Sequence, residues 1–137
     1  MKTSARNELT GKITSIIDGA VMSEVKIAVT AEVTVSATVT KEGLSSLGAK
    51  LNDEVTAIIK ASSIIITKDA VKTTARNVLK GKVIEVKKGA VNSEVKLSLG
   101  TATISAIVTN DAIEDLSIKV SEDAYAIIKA SSVILMA

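Results

Sequence analysis

Two short segments of the chain repeat at an offset of 70 residues and carry groups that suit an anion. Residues 3–7 read Thr-Ser-Ala-Arg-Asn, and residues 73–77 read Thr-Thr-Ala-Arg-Asn. On an extended segment, Ser4 and Arg6 point to the same side because they lie two residues apart. A hydroxyl, a guanidinium and the N–H groups between them suit an oxyanion with several acceptor oxygens. An ordinary strand start with a solvent-facing arginine is the alternative, and the repeat favours binding.

A second repeated segment reads Ala-Ile-Ile-Lys-Ala-Ser-Ser, at residues 57–63 and again at 126–132. Lys60 and Lys129 each offer a full positive charge, and the serines offer adaptable donors. The small alanine that follows each lysine lets backbone N–H groups approach a ligand. A plain loop between two strands is the alternative, since serine is common there. An identity of this length favours function over turn propensity alone.

A third pair reads Gly-Ala-Val-Met-Ser-Glu at residues 19–24 and Gly-Ala-Val-Asn-Ser-Glu at 89–94. Glycine permits a sharp turn whose consecutive N–H groups form an anion-binding nest. A simple hairpin turn explains the same residues, and Met22 differs from its counterpart Asn92. Both interpretations stay open from the sequence.

The composition argues against catalysis. The 137 residues include no histidine and no cysteine, which excludes imidazole or thiolate metal sites, disulfides and histidine-based acid–base chemistry. No repeated carboxylate pair stands in an apolar setting; Glu24 and Glu94 are expected to pair across strands with Lys26 and Lys96. Glycine motifs for nucleotide cradles are missing. We therefore predict no catalytic residues, no catalytic cofactor, no directly ligated metal cation and no enzyme activity.

Nucleic-acid and membrane partners are not expected. Net charge is only +2, and Tyr125 is the one aromatic residue, so base stacking is not available as a general mode. The longest apolar runs, such as Ile64–Ile66, are too short to span a bilayer. The N-terminal residues lack the apolar core of a signal peptide, which predicts a cytoplasmic protein.

The repeat divides the chain into two modules, at 1–67 and 71–137, with Lys68–Ala70 between them. The join has no proline, glycine or serine cluster, which predicts a tight connection. The offset falls to 69 between residues 29–33 and 99–103, and such a length change indicates a hairpin loop.

The periodicity within each module is that of strands. Strands of the first module are predicted at residues 9–17, 24–29, 34–39, 54–59 and 63–66. A single helical turn is predicted at Lys41–Leu47, and its counterpart at Asn110–Leu116. Five short strands with a small helix after the third are typical of an OB-type barrel. The predicted fold is all-β, with two tandem OB-like five-stranded barrel modules; a sandwich fragment is the alternative.

These signatures, in this order, resemble the molybdate-binding Mop module, also called the TOBE domain. A tandem pair that fills the chain is similar to a molbindin of the two-module type. The resemblance implies OB-like modules that bind molybdate or tungstate in the cytoplasm, for storage or buffering. It also implies a ring of six modules built from three chains, a homotrimer, with anion sites between modules. A structural or interaction module without a ligand is the alternative function, and nucleic-acid binding ranks below it.

The resemblance further implies two types of site. The first combines the Ser-Ala-Arg segment, the Lys-Ala-Ser loop and a threonine after the third strand, with these positions here: Ser4, Arg6, Thr40, Lys60, Ala61, Ser62, Thr74, Arg76, Thr109, Lys129, Ala130 and Ser131. The second lies near the threefold axis, with these positions: Val21, Met22, Ser23, Val91, Asn92 and Ser93.

Some positions depart from the family pattern. Met22 replaces the usual asparagine, Thr74 replaces serine, and Gly43 and Ala112 stand where some relatives carry serine. The two sets of sites are therefore expected to differ in affinity.

Donor-only sites fit a tetrahedral dianion, whereas phosphate at neutral pH is often still protonated and needs an acceptor.

Overall fold

The computed structural model describes residues 3–137, and each sequence copy forms five strands and one short helix. The first copy contains β1 (Arg6–Asp18), β2 (Met22–Ala28), β3 (Thr34–Thr40), α1 (Lys41–Leu47), β4 (Glu54–Lys60) and β5 (Ile65–Thr67). The second contains β6 (Asn77–Lys88), β7 (Asn92–Ser98), β8 (Thr103–Thr109), α2 (Asn110–Leu116), β9 (Asp123–Ile128) and β10 (Ile134–Met136). A single 3-10 turn follows β4 and another follows β9, at Ala61–Ser63 and Ala130–Ser132. The predicted fold of two OB-like five-stranded modules is confirmed, and both predicted helices agree residue for residue.

The two copies exchange their last strands. One sheet has the order β10-β4-β1-β2-β3, and the other has the order β5-β9-β6-β7-β8. Ile134 of β10 lies opposite Ile58, and Ile65 of β5 lies opposite Ile127. Each sheet therefore takes an edge strand from the other copy. The boundaries at 1–67 and 71–137 stay a prediction for the sequence modules, and residues 1–2 lie outside the described residues.

A single apolar core joins the two sheets, built from aliphatic residues on the inward side of each strand. In the first copy Ile13, Val25, Ile27, Val35 and Ile59 are almost fully buried. Such β-branched side chains pack well on a pleated, buried surface. A bulge between Ile13 and Ser15 bends β1, which lets one long strand pair with β4 in its first half and β2 in its second.

Glycine is required where the long first strand of each copy passes close to the second, β1 to β2 and β6 to β7. A Cβ atom on Gly11 would lie 2.2 Å from the carbonyl oxygen of Ala28, and one on Gly81 would lie 2.8 Å from that of Ser98. Neither backbone can accept a side chain at that point, so the close crossing holds both long strands in place.

Both helices begin with a threonine cap that the resemblance assigns to the anion site. Thr40 Oγ1 accepts from the N–H of Gly43 at 3.0 Å, and Thr109 Oγ1 accepts from that of Ala112 at 3.1 Å. Such a cap satisfies one of the free N–H groups in the first helical turn. Across residues 3–137, neither helix has the length or the apolar character to cross a membrane.

Candidate functional site

The structure brings the two repeated segments of the first copy side by side. Arg6, the first residue of β1, lies opposite Lys60, the last residue of β4. The N–H of Ala61 donates to the carbonyl of Ala5 at 3.0 Å, which joins the Ser-Ala-Arg segment to the 3-10 turn. Both alanines are buried. The cations are therefore held next to one another by backbone pairing and not by side-chain contacts.

The hydroxyls and cations of this group face solvent. Ser4, Ser62 and Lys60 are exposed, and the Arg6 side chain is 56% exposed. Arg6 also has a φ of 82°, in the left-handed region that residues other than glycine rarely adopt. Strain of this kind persists only where the surrounding structure imposes it, and it is frequent at ligand sites.

The second copy forms a cavity at the equivalent place. A space of about 280 Å³ is lined by Thr73, Thr74, Lys129 and Ser132, together with Ser63 and Ile65 from the end of the first copy. Ala130 is buried and Ser131 is exposed beside it. The strand exchange brings the end of one copy against the donor segments of the other, so this cavity lies between modules.

The capping threonines occupy a different position. Thr40 lines a separate cavity of about 290 Å³ with Gly43, Leu44 and residues 133–135. Its hydroxyl oxygen accepts from the helix, so its own O–H remains able to donate to a ligand. The 3-10 turn at Ala130–Ser132 packs against β3, the strand that Thr40 ends.

Each arginine pairs with a glutamate of the other copy. Arg6 Nη2 bonds to Glu94, and Arg76 Nη2 lies 3.1 Å from Glu24. The expected pairing of these glutamates with Lys26 and Lys96 is therefore wrong. The start of β1 lies against β8 of the other copy. This packing places Arg6 next to Glu94.

The contact with Arg6 changes the acidity of Glu94. A hydrogen bond from the Arg6 side chain lowers the pKa of this carboxyl below its ordinary value of 4.5, burial opposes the shift, and the charges of Arg6, Lys96 and Lys87 add to it. A carboxyl with a depressed folded pKa contributes stability that is present above its unfolded pKa. That contribution is lost as the pH falls through the folded value.

We therefore expect Glu94→Gln to flatten the acid side of the stability profile. Urea unfolding between pH 6 and about pH 3 should show the wild-type advantage over Glu94→Gln shrink as the pH falls, since the lost ion pair matters only while the carboxyl is ionised. Glu114→Gln is the matched control, because Glu114 is 69% exposed. Parallel profiles for the wild type and Glu94→Gln would contradict this role.

A buried asparagine in each copy forms hydrogen bonds with the backbone of the other copy. Asn77 Oδ1 accepts from the N–H of Ser36 at 2.7 Å, and its Nδ2 donates to the carbonyls of Ser36 at 2.8 Å and Ile128 at 3.2 Å. Asn7 makes the same contacts with Ser105. These asparagines stand next to the arginines, so they fix where each guanidinium lies over the other copy. The sequence showed their repetition, but not this role.

The repeated glycines form hairpin turns, the simpler of the two interpretations that the sequence left open. The N–H of Gly19 donates to the carbonyl of Met22 at 2.8 Å, and that of Gly89 donates to Asn92 at 2.9 Å. Neither glycine has a positive φ. A glycine N–H that closes a hairpin is not free to bind an anion.

The turns nevertheless present residues of the second site type at the surface. Val21 and Val91 are 68% and 70% exposed, and Met22 and Asn92 are also exposed. The serine that follows is buried in both copies: Ser23 Oγ donates to Asp18 at 2.6 Å, whereas Ser93 Oγ bonds to Asn110.

The two turns differ in charge. Asp18 precedes the first turn, and Lys88 stands at the equivalent place before the second. A carboxylate repels an anion at the first turn, whereas the second turn has an ammonium group that forms an exposed pair with Glu114 at 3.9 Å.

Lys26 was not among the site residues predicted from the sequence. It lines a cavity of about 490 Å³ with Ser36 and residues 73–76 of the other copy. The signal was present, because the Ser-Glu-Val-Lys run recurs in both copies, but the lysine was assigned to an ion pair. Among residues 3–137 no group of three or more acidic, cysteine or histidine side chains could hold a metal ion.

Comparisons with known proteins agree with the repeat. The TOBE domain family model matches residues 3–66 and 73–135. The chain is 40% identical over 137 residues to the molybdenum transport protein ModE of Azotobacter vinelandii, covering 98% of this chain and 51% of that protein. It is 36% identical to the molybdenum-pterin-binding protein MopA of Rhodobacter capsulatus, covering 98% and 52%. The chain thus spans about half the length of these relatives.

A solved structure is similar over the full chain. It is that of the cytoplasmic molybdate-binding protein ModG with molybdate bound, with 39% sequence identity, a TM-score of 0.94 and 99% of each chain covered.

Proposed function

The chain belongs to the TOBE domain family, and from that premise we propose that it binds molybdate, or the similar oxyanion tungstate, for storage or buffering in the cytoplasm. The observation that carries the proposal is the backbone pairing that places Arg6 beside Lys60, with the equivalent donors around the cavity at Lys129. Relatives named for molybdenum binding support the choice of ligand.

The donor set suits this ligand class. Molybdate at neutral pH is a tetrahedral dianion whose oxygens only accept hydrogen bonds. The proposed intermodule site offers guanidinium, ammonium, hydroxyl and backbone N–H groups, all of which donate. Its members are Ser4, Arg6, Thr40, Lys60, Ala61 and Ser62, with Thr74, Arg76, Thr109, Lys129, Ala130 and Ser131. The protein acts in this proposal by binding and release, without catalysis.

The second proposed site type uses the exposed turns, and we assign it chiefly to Val91, Asn92 and Ser93. Lys88 stands beside that turn, whereas Asp18 and Met22 make the first turn a poor anion site. The set Val21, Met22 and Ser23 therefore binds more weakly in this proposal.

We further propose that three chains form a ring of six modules. Val21, Val91, Ile17 and Ile84 leave apolar surface exposed on the chain, and the donors around Arg6 are open to solvent. Symmetric closed assemblies are the usual way in which such surfaces are covered. Sedimentation at micromolar concentration should give the mass of three chains, and a monomer under those conditions would contradict the ring.

Ligand binding should stabilise the native protein selectively. Binding to the folded state alone adds RT ln(1 + [L]/Kd), which is about 2.7 kcal/mol at a hundredfold excess over Kd. The melting temperature is expected to rise with molybdate or tungstate, and far less with chloride at equal ionic strength. An equal rise with chloride would indicate plain charge screening and would overturn the specific site, whereas an equal rise with sulfate would show a site without selectivity for the metal oxyanion.

A further inference from the structure

A polar cavity at the contact between the two copies contains a lysine, Lys26, whose counterpart in the second copy is ion-paired. The cavity of about 490 Å³ is lined by Lys26 and Ser36 of the first copy, and by Thr73–Arg76 of the second. It is separate from the cavity at Lys129, although Thr73, Thr74 and Ala75 line both. The Thr73–Arg76 segment thus forms a wall between two spaces.

The walls of this cavity are held rigidly. Lys26 of β2 lies opposite Ser36 of β3, so their side chains share one face of the sheet. The backbone of Ser36 is bonded at both its N–H and its carbonyl to the side chain of Asn77. Because Asn77 follows Arg76 directly, the backbone at Arg76 is held close to Ser36 and Lys26.

The charges around Lys26 are not balanced. Arg76 pairs with Glu24 at 3.1 Å, and Lys26 has no ion-pair partner among residues 3–137. Two cations therefore face one carboxylate. Lysine offers three donors and no acceptor, so an unpaired lysine in a polar cavity attracts an anion.

The equivalent lysine in the other copy has an ion-pair partner. Lys96 corresponds to Lys26, and its Nζ lies 3.7 Å from Glu85 on the adjacent strand. In the first copy Ser15 takes the place of Glu85, opposite Lys26 in the ladder. The net charge is similar in the two places, because Lys87 lies opposite Glu94 near Lys96. The exposed pair contributes little to stability, but it engages the Lys96 ammonium group that would otherwise donate to an anion.

We propose that the cavity at Lys26 is an additional oxyanion site of the chain, with Lys26, Ser36 and Thr73 as its own donors beside Thr74 and Arg76, which it shares with the intermodule site, and that the equivalent place at Lys96 is inactive. The inference rests on the proposed function, since it takes molybdate as the ligand. Each chain therefore has one site of this kind. The two copies differ in the number of molybdate ions that they bind, although their sequences repeat.

Equilibrium dialysis of the full chain with molybdate, over a range of concentrations, tests the asymmetry. Lys26→Ala should remove one bound molybdate per chain or weaken it by about tenfold or more, as expected for a lost charge-assisted hydrogen bond. Lys96→Ala is the matched control and should leave both number and affinity unchanged. Urea unfolding of each variant would verify that the fold is intact.

Exchanging the neighbouring residues provides an independent test that keeps both lysines. Ser15→Glu should weaken the Lys26 site as Lys26→Ala does, and Glu85→Ser should add a site at Lys96. Equal effects of Lys26→Ala and Lys96→Ala, or no effect of Ser15→Glu, would overturn this inference while the intermodule sites stand. A wild-type chain that binds no molybdate would instead overturn the proposed function, and this site with it.

Discussion

Replacing Asn77 by alanine is expected to lower the free energy of unfolding by about 3 kcal/mol or more. The change leaves the N–H and carbonyl of Ser36 without the Asn77 side chain and removes one bond to the carbonyl of Ile128, at a place where Asn77 itself is only 2% exposed. Each buried polar group left unsatisfied costs about 1–3 kcal/mol. Urea unfolding monitored by far-UV circular dichroism measures the loss.

Asn7→Ala should have a similar effect, because Asn7 makes the same contacts with Ser105 and is equally buried. Asn92→Ala is the control, since that asparagine lies exposed in a turn. A loss within about 0.5 kcal/mol for Asn77→Ala, the range of an ordinary surface change, would show that the asparagines do not hold the two copies together.

The second large effect is expected on ligand binding. Replacing both Lys60 and Lys129 by alanine should weaken molybdate binding at the intermodule sites by roughly 10- to 150-fold, because each lysine is proposed to make a charge-assisted hydrogen bond worth about 1.5–3 kcal/mol. Both lysines are exposed at the end of a strand, so the fold should persist. Isothermal titration with molybdate measures the change.

The control removes the same charge elsewhere. Lys50→Ala with Lys119→Ala alters two exposed lysines that the proposed sites do not include. If the two double variants weaken binding equally, the effect is one of net charge, and Lys60 and Lys129 are not ligands. If neither double variant changes the titration, the lysines are ordinary solvated residues.

Local pattern was sufficient to predict the elements. The alternation of apolar residues predicted the strands and their order along the chain, because it depends on which side of a strand faces the core. The segments between the third and fourth strands of each module were correctly predicted as short helices. The bulge in β1 shifts the alternation, so the inward positions pass from Ile13 to Ile16. Elements of this kind depend on neighbours in sequence, and sequence shows those directly.

The strand exchange could not be predicted in the same way. The partner of Ile65 is Ile127 and the partner of Ile134 is Ile58, and the two partners belong to identical runs. By composition and periodicity, the last strand of either copy could pair with the edge of either sheet. The repeat that reveals the modules therefore conceals which strand joins which sheet.

The same reason explains the unpredicted parts of the candidate site. The ion pair of Arg6 with Glu94 and the cavity that Lys26 shares with the Thr73–Arg76 segment bring together residues of different copies, and no spacing in the sequence indicates them. The adjacency of Ser4–Arg6 and Lys60–Ser62 was implied by the family resemblance. The assignment of individual residues to molybdate stays a prediction.

The most direct test of molybdate binding is equilibrium dialysis of the wild-type chain against molybdate, tungstate, sulfate and phosphate in parallel. We expect molybdate or tungstate to bind well below millimolar concentration, and phosphate to bind far more weakly because it often carries a proton that a donor-only site cannot accept. A millimolar dissociation constant corresponds to about −4 kcal/mol. If none of the four anions binds more tightly than that, the chain is not an oxyanion-binding protein and its OB-like modules serve another purpose.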